Sequence, residues 1–142
     1  MKKMDLQSLN ALTENVIKCA MRVHSELGPG FLESVYQAAL AYEFELNGIA
    51  YEREKECPVS YRDKKLTDVG FRCDFLVEST LVLEIKAVRE TVVRDEAQLL
   101  NYLKILELPL GLMINFNVMH LKDGIKRMLN PKVFNQLAQT DI

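Results

Sequence analysis

Asp74, Glu84 and Lys86 are the residues whose types and spacing point most directly to chemistry. Residues 70–77 and 81–87 each alternate apolar and polar side chains, the period of a β-strand, with Glu78, Ser79 and Thr80 as the loop between them. One face of the predicted hairpin carries Phe71, Cys73, Phe75 and Val77 with Leu81, Leu83, Ile85 and Ala87, and the other carries Arg72, Asp74, Glu84 and Lys86. Pairing Val77 with Leu81 across that loop sets Asp74 opposite Glu84. Opposed Cβ atoms in a sheet stand about 4.5–5.5 Å apart, where two carboxylates repel by roughly 3 kcal/mol at an effective dielectric of about 20. A divalent cation between them removes that cost, and paired carboxylates are the hard oxygen donors that magnesium or manganese takes.

A second register stays open on this evidence alone. Shifting the pairing by two residues keeps both apolar faces matched and sets Asp74 against Lys86, an ordinary cross-strand ion pair with no metal. Glu84-x-Lys86 is also a weak signal in isolation, because Asp63-x-Lys65 repeats it in a polar turn without an opposed acidic strand residue.

The elements that must position these groups are legible on either side. Leu6, Leu9, Leu12, Val16, Ala20, Val23 and Leu27 recur at helical spacing, which predicts a helix over about residues 5–27, ended by Gly28, Pro29 and Gly30. A second helix is expected over about 32–47, with Gly48 just past its end. Residues 51–57 and 59–61 belong with the hairpin in a β-rich middle. A third helix from about Val93 or Asp95 to Leu106 buries Leu99, Leu100, Leu103 and Leu106, and the apolar run 110–116 reads as a strand buried on both faces. Residues 117–128 fit strand or helix, and Asn130-Pro131 opens a polar tail expected to fray.

Composition narrows the chemistry. At 142 residues, 27% charged and 49% hydrophobic, the chain reads as one globular domain with its core at about 10–130. No apolar run is long enough to span a bilayer, and Met1-Lys2-Lys3 lacks the apolar stretch of a leader, so a cytoplasmic protein without membrane contact is expected. Cys19, Cys57 and Cys73 are widely spaced and odd in number, which argues for buried small hydrophobes over disulfides or a zinc ribbon. Two histidines, His24 and His120, leave little from which to build a zinc or Ser-His-Asp hydrolase, and no phosphate-cradling Gly-rich loop occurs. Carboxylate chemistry remains. A formal net charge of −2 argues against a simple DNA-coating protein but leaves room for an acidic metal pocket with basic residues around it.

Further residues gather toward the hairpin. Glu33 and Tyr36 lie three apart at the start of the second helix, and Gln98 and Tyr102 lie four apart on the third, so each pair shares a helix face. The segment Gly30-Phe31-Leu32-Glu33-Ser34-Val35-Tyr36 has the form Gly-x-x-Glu-x-x-Tyr. On this segment, together with Arg72-Cys73-Asp74, Glu84-Ile85-Lys86, Glu96-Ala97-Gln98-Leu99-Leu100-Asn101-Tyr102 and Ile114-Asn115-Phe116, the chain resembles the GxxExxY family of the PD-(D/E)xK nuclease superfamily from about Val16 to Leu129.

The resemblance implies an α/β, restriction-endonuclease-like core: a central mixed sheet of four to five strands with helices on both faces. It implies a nuclease that hydrolyses phosphodiester bonds with Mg2+ or Mn2+, held by Asp74, Glu84 and the backbone carbonyl of Ile85. Cys73 stands where the superfamily motif has proline, a position that ligates nothing. Catalytic roles are implied for Glu33, Asp74, Glu84, Lys86 and Gln98, with Lys86 orienting or deprotonating water or neutralising charge. Tyr36, Arg72 and Tyr102 would contact substrate, Arg72 through a charge-assisted bond. The implied partner is nucleic acid, DNA ahead of RNA, with pairing of two copies open by analogy. The rival reading is a catalytically inactive nuclease-fold module that binds nucleic acid or a protein.

Overall fold

The computed structural model describes residues 5–140, and the Met1-Lys2-Lys3 start considered above lies outside them. Helix α1 (Leu6–Leu27) begins where Asp5 accepts a hydrogen bond from the Ser8 amide at 2.7 Å, satisfying an otherwise orphaned N–H. Its buried stripe of Leu9, Leu12, Val16, Cys19, Ala20 and Val23 follows the helical period. Helix α2 (Glu33–Leu46) ends before Gly48, whose φ of 67° is the left-handed conformation a glycine supplies without strain.

Strands β1 (Tyr51–Tyr61), β2 (Lys64–Val77), β3 (Leu81–Lys86), β4 (Leu110–Asn115) and β5 (Ile125–Leu129) form one mixed sheet in sequential order. Strands β1 and β2 turn through Arg62 and Asp63, both at positive φ, as a tight two-residue hairpin requires. The pairing of β2 with β3 is antiparallel, with Val77 opposite Leu81, Leu76 opposite Val82 and Phe75 opposite Leu83. This is the register that brings Asp74 toward Glu84, and it removes the alternative that opposes Asp74 to Lys86. Helix α3 (Val93–Leu106) carries the chain from β3 to its parallel neighbour β4.

Both sheet faces are covered. Phe75, Val77, Leu81, Leu83 and Ile85 pack with α1 and α2, whereas Cys73, Leu76, Val82 and Met113 pack with Leu99, Tyr102 and Leu103 of α3. The approach of α3 is close: a Cβ at Gly111 of β4 would lie 2.8 Å from Leu99. The predicted α/β class, mixed sheet and two helical layers are all present. No helix among the described residues is long and apolar enough to cross a membrane.

Three expectations are corrected. Cys73 packs in the cluster under α3 and Phe75 in the cluster under α1 and α2, so the alternation skips between them although the register of β1 and β2 does not shift there: Arg53 pairs with Phe75 and Lys55 with Cys73, and the intervening Glu54 adopts a left-handed φ of 51°. The face expected to be polar is itself core wherever α3 covers it, since Leu76 and Val82 share it with Glu84. The polar tail is ordered as helix α4 (Pro131–Thr140), with Leu137 and Phe134 joining the larger core. Proline at its first position costs nothing there, because that N–H has no helical partner. The ambiguous stretch resolves into a short turn, Leu121–Gly124, and then β5.

Candidate active site

The β2–β3 ladder stops at Phe75 and Leu83, and the next pair, Asp74 and Glu84, links the strands through side chains instead. The Asp74 amide donates to Glu84 Oε1 over 3.4 Å, and the Ile85 amide donates to Asp74 Oδ2 over 2.6 Å. Each acid is thereby tied to backbone beside the other. The structure thus brings Asp74, Glu84 and the Ile85 peptide together where the two strands separate, while the Ile85 side chain is buried in the core.

Glu84 is only 6% exposed, and burial pushes its carboxyl up to about 8; the Asp74 charge adds to this, while Lys86 and the Asp74 amide oppose it. Burial also raises Asp74, against the Ile85 amide, Lys86 and Gln37, which favour its charged form. Lys86, at the end of β3, lies 3.8 Å from Asp95 in the first turn of α3. Beyond it, Asn115 holds the exit of β3 by accepting from the Val88 and Asn117 amides at 3.1 Å and donating to the Val88 carbonyl at 2.9 Å.

Glu33 is the first residue of α2, exposed yet within reach of these groups. Partial desolvation raises its carboxyl, with Asp74 and Asp95 acting in the same direction and Lys86 against. Two helix N-termini therefore flank one gap from opposite faces of the sheet. The loop that delivers Glu33 needs a glycine, for Gly30 has φ 107°. Tyr36 then clamps this loop, its hydroxyl donating to the Gly28 carbonyl at 2.5 Å and accepting from the Phe31 amide at 3.2 Å.

The other expected site residues fall into different surroundings. Tyr36, expected at the substrate, is fully enclosed and stacks on Phe116 at 4.7 Å, so its part is to hold the loop. Tyr102 is 2% exposed and stacks on Phe71 at 4.1 Å; burial, then the Glu84 charge, raise its phenol. Arg72 is exposed and pairs with Glu56 of β1 at 3.4 Å. Gln98 is exposed on α3, on the same stripe as Asp95 and Tyr102.

Sequence reasoning missed three groups. Gln37 donates to Asp74 Oδ1 at 3.3 Å and accepts from Arg53 Nη2 at 2.8 Å, orienting the acid through a bridge to β1. Its position four residues after Glu33 on one helix was the available signal. Asp95, which also caps α3 by accepting from the Val92 amide at 2.9 Å, reads in sequence as a capping residue only.

The donor set suits a hard divalent ion. Asp74 and Glu84 repel one another in a nearly buried site, and a cation relieves the repulsion. Among the described residues no three acidic, histidine or cysteine side chains converge to hold an ion by themselves. Two carboxylates with backbone oxygen and water is a shell that magnesium, which keeps much of its hydration, accepts.

The sequence model of the PD-(D/E)XK nuclease superfamily matches residues 10–128, from α1 into β5. Neither a curated protein nor a solved structure gives a significant match. With most of the chain matched, and with the aspartate of β2 meeting the Glu-x-Lys of β3 at the strand divergence, the protein belongs to the PD-(D/E)XK nuclease superfamily.

Proposed function

We propose that the protein is a nuclease dependent on Mg2+ or Mn2+, of the GxxExxY type, that hydrolyses phosphodiester bonds in nucleic acid, DNA before RNA. The observation that carries this reading is the cross-linked pair at the strand divergence: the Asp74 amide on Glu84, the Ile85 amide on Asp74, and Lys86 one residue further.

Asp74, Glu84 and the Ile85 carbonyl would hold the ion. When bound, it supplies Lewis acidity toward a phosphoryl oxygen and toward water. The remaining steps are the work of side chains. Lys86, paired with Asp95, stands as a fixed cation facing the negative charge that grows on the phosphate during attack. Glu33, on the far side of the gap, orients the attacking water by accepting its hydrogen. Gln37 and Arg53 keep Asp74 in one rotamer. Gln98 reaches the phosphate from the stripe of α3 that runs from Asp95 to Tyr102, and Tyr102 supports that stripe by stacking on Phe71.

The deciding experiment incubates the full chain with labelled single- and double-stranded DNA and RNA, in magnesium, manganese or EDTA, beside Glu84→Gln. Cleavage that needs the ion and falls about 100-fold or more in the variant is expected. Equal cleavage by the two proteins would end this reading. Ion-independent binding of the oligonucleotides without cleavage would favour the inactive binding module.

A further inference from the structure

The two helices whose N-termini flank the carboxylates begin on exposed aliphatic residues, Leu32 for α2 and Val92 for α3, whose side chains cannot accept from the first-turn amides, and the side-chain bond at these two starts is that of the Asp95 carboxylate on the Val92 amide. Helix α1, remote from the site, starts on a capping aspartate. Serine, threonine, aspartate or asparagine is strongly preferred at such positions, so leucine and valine there forgo stability. Local rules broken in this way tend to mark functional sites.

Exposed apolar side chains occur elsewhere on the molecule too, but here they adjoin two helix starts at one site. Leu32 is 75% exposed and Val92 51%, and around them lie Phe31 at 47%, Val35 at 37%, Val88 at 37% and Val93 at 80%. Phe31 is held edge-on against Tyr36, with its amide bound to the Tyr36 hydroxyl, so its ring is a fixed surface. These residues share the mouth of the site: Leu32 and Phe31 adjoin Glu33, while Val92 and Val93 open the helix whose Asp95 pairs with Lys86. Arg89 and Arg94 stand exposed among them, with Glu90 as an exposed acid in the same segment.

We infer that this apolar collar takes the unstacked bases of single-stranded nucleic acid, which makes an unpaired strand or frayed end the preferred substrate. The inference rests on the nuclease reading and deepens it. A duplex presents sugar and phosphate at its surface and keeps its base faces stacked, so aliphatic side chains gain little from it. An unpaired nucleotide offers an apolar face next to its phosphate, matching an aliphatic and aromatic rim interleaved with arginine beside a phosphate-directed centre. A second copy of the chain, which brings exposed Glu33 and Glu90 as well as the apolar residues, is the rival occupant that the test separates.

The test uses the full chain with calcium in place of magnesium, a fluorescein-labelled 20-nucleotide single strand, and the same sequence as a blunt duplex. Binding is read by anisotropy for the wild type, for Leu32→Ser/Val92→Ser and for Phe31→Ala. The serine pair supplies preferred caps, so an unchanged or higher melting temperature verifies the fold. The wild type is expected to bind the single strand about 10-fold more tightly than the duplex, and each variant to lose most of that margin with duplex binding unchanged. Equal affinity of the wild type for the two probes, or unaltered binding by both variants, overturns the inference. So does a wild-type dimer in sedimentation that the serine pair converts to monomer without change in binding. Cleavage of both substrates at one rate in magnesium would overturn only the single-strand preference, whereas cleavage of neither would strike the nuclease reading itself.

Discussion

The backbone amide of Asp74 points to the carboxylate of Glu84 across 3.4 Å at the place where β2 and β3 stop pairing. A side chain thus takes up an N–H that the strand ladder no longer satisfies, and the two acids are held together by the sheet itself. Substituting Glu84 with glutamine keeps an acceptor for that amide while removing the charge. We expect Glu84→Gln to lose activity about 100-fold or more yet to melt higher than wild type in EDTA at pH 8, as scanning calorimetry would show. A lower melting temperature would mean that the paired charges stabilise the fold.

The same carboxyl makes stability depend on pH. In the unfolded chain Glu84 ionises near its ordinary value of 4.5, and in the fold it keeps its proton to about 8. The native state therefore binds more protons between these values, and without metal its stability falls as pH rises from about 5 to 8, by on the order of a few kcal/mol, then levels off. Magnesium at pH 8 should restore the loss, and at pH 5.5 should do much less because the proton competes. Thermal melts across pH with EDTA or magnesium check this; a slope unchanged in Glu84→Gln would assign it to another group.

Gln37 touches no expected substrate atom, yet it joins Arg53 to Asp74. Gln37→Leu keeps a side chain of similar size and breaks the bonds to both residues. Manganese affinity by calorimetry should weaken about 10-fold, the usual effect of losing a group that orients a ligand. Unchanged affinity would show that the Ile85 amide alone suffices to place Asp74.

Tyr36 is predicted to serve structure. Tyr36→Phe keeps the stacking on Phe116 and deletes the hydroxyl that ties the Gly28 carbonyl to the Phe31 amide. A destabilisation of about 1–2 kcal/mol is expected in urea unfolding, with KM for nucleic acid raised through the loosened Phe31 loop more than kcat is lowered. A collapse of kcat alone would place Tyr36 in the chemistry.

Much of this architecture was readable along the chain. The sequence pattern set α1, α2 and α3 within a residue or two, and the three-residue loop through Glu78, Ser79 and Thr80 offered the register that aligns Asp74 with Glu84, which the observed strand pairing then chose over the shifted one. These are local matters, governed by side-chain periodicity and by how few residues can close a turn. The free cysteines are buried, as their wide spacing suggested. Helix α4 was missed because Phe134 and Leu137 earn their place only against a distant core.

What the tertiary structure alone decided is how the site is finished. The skip in alternation at Asp74 lies beside Glu54 of a different strand, which turns left-handed, and no pattern within residues 70–77 discloses either. Gln37, Asp95 and Glu33 come from helices on opposite faces of the sheet, and only packing sets their N-termini around one gap. Sequence determines which residues lie on a face of an element, because that follows from bond geometry. Which faces meet, and how far water is excluded from a carboxylate such as Glu84, depends on contacts between segments distant in the chain.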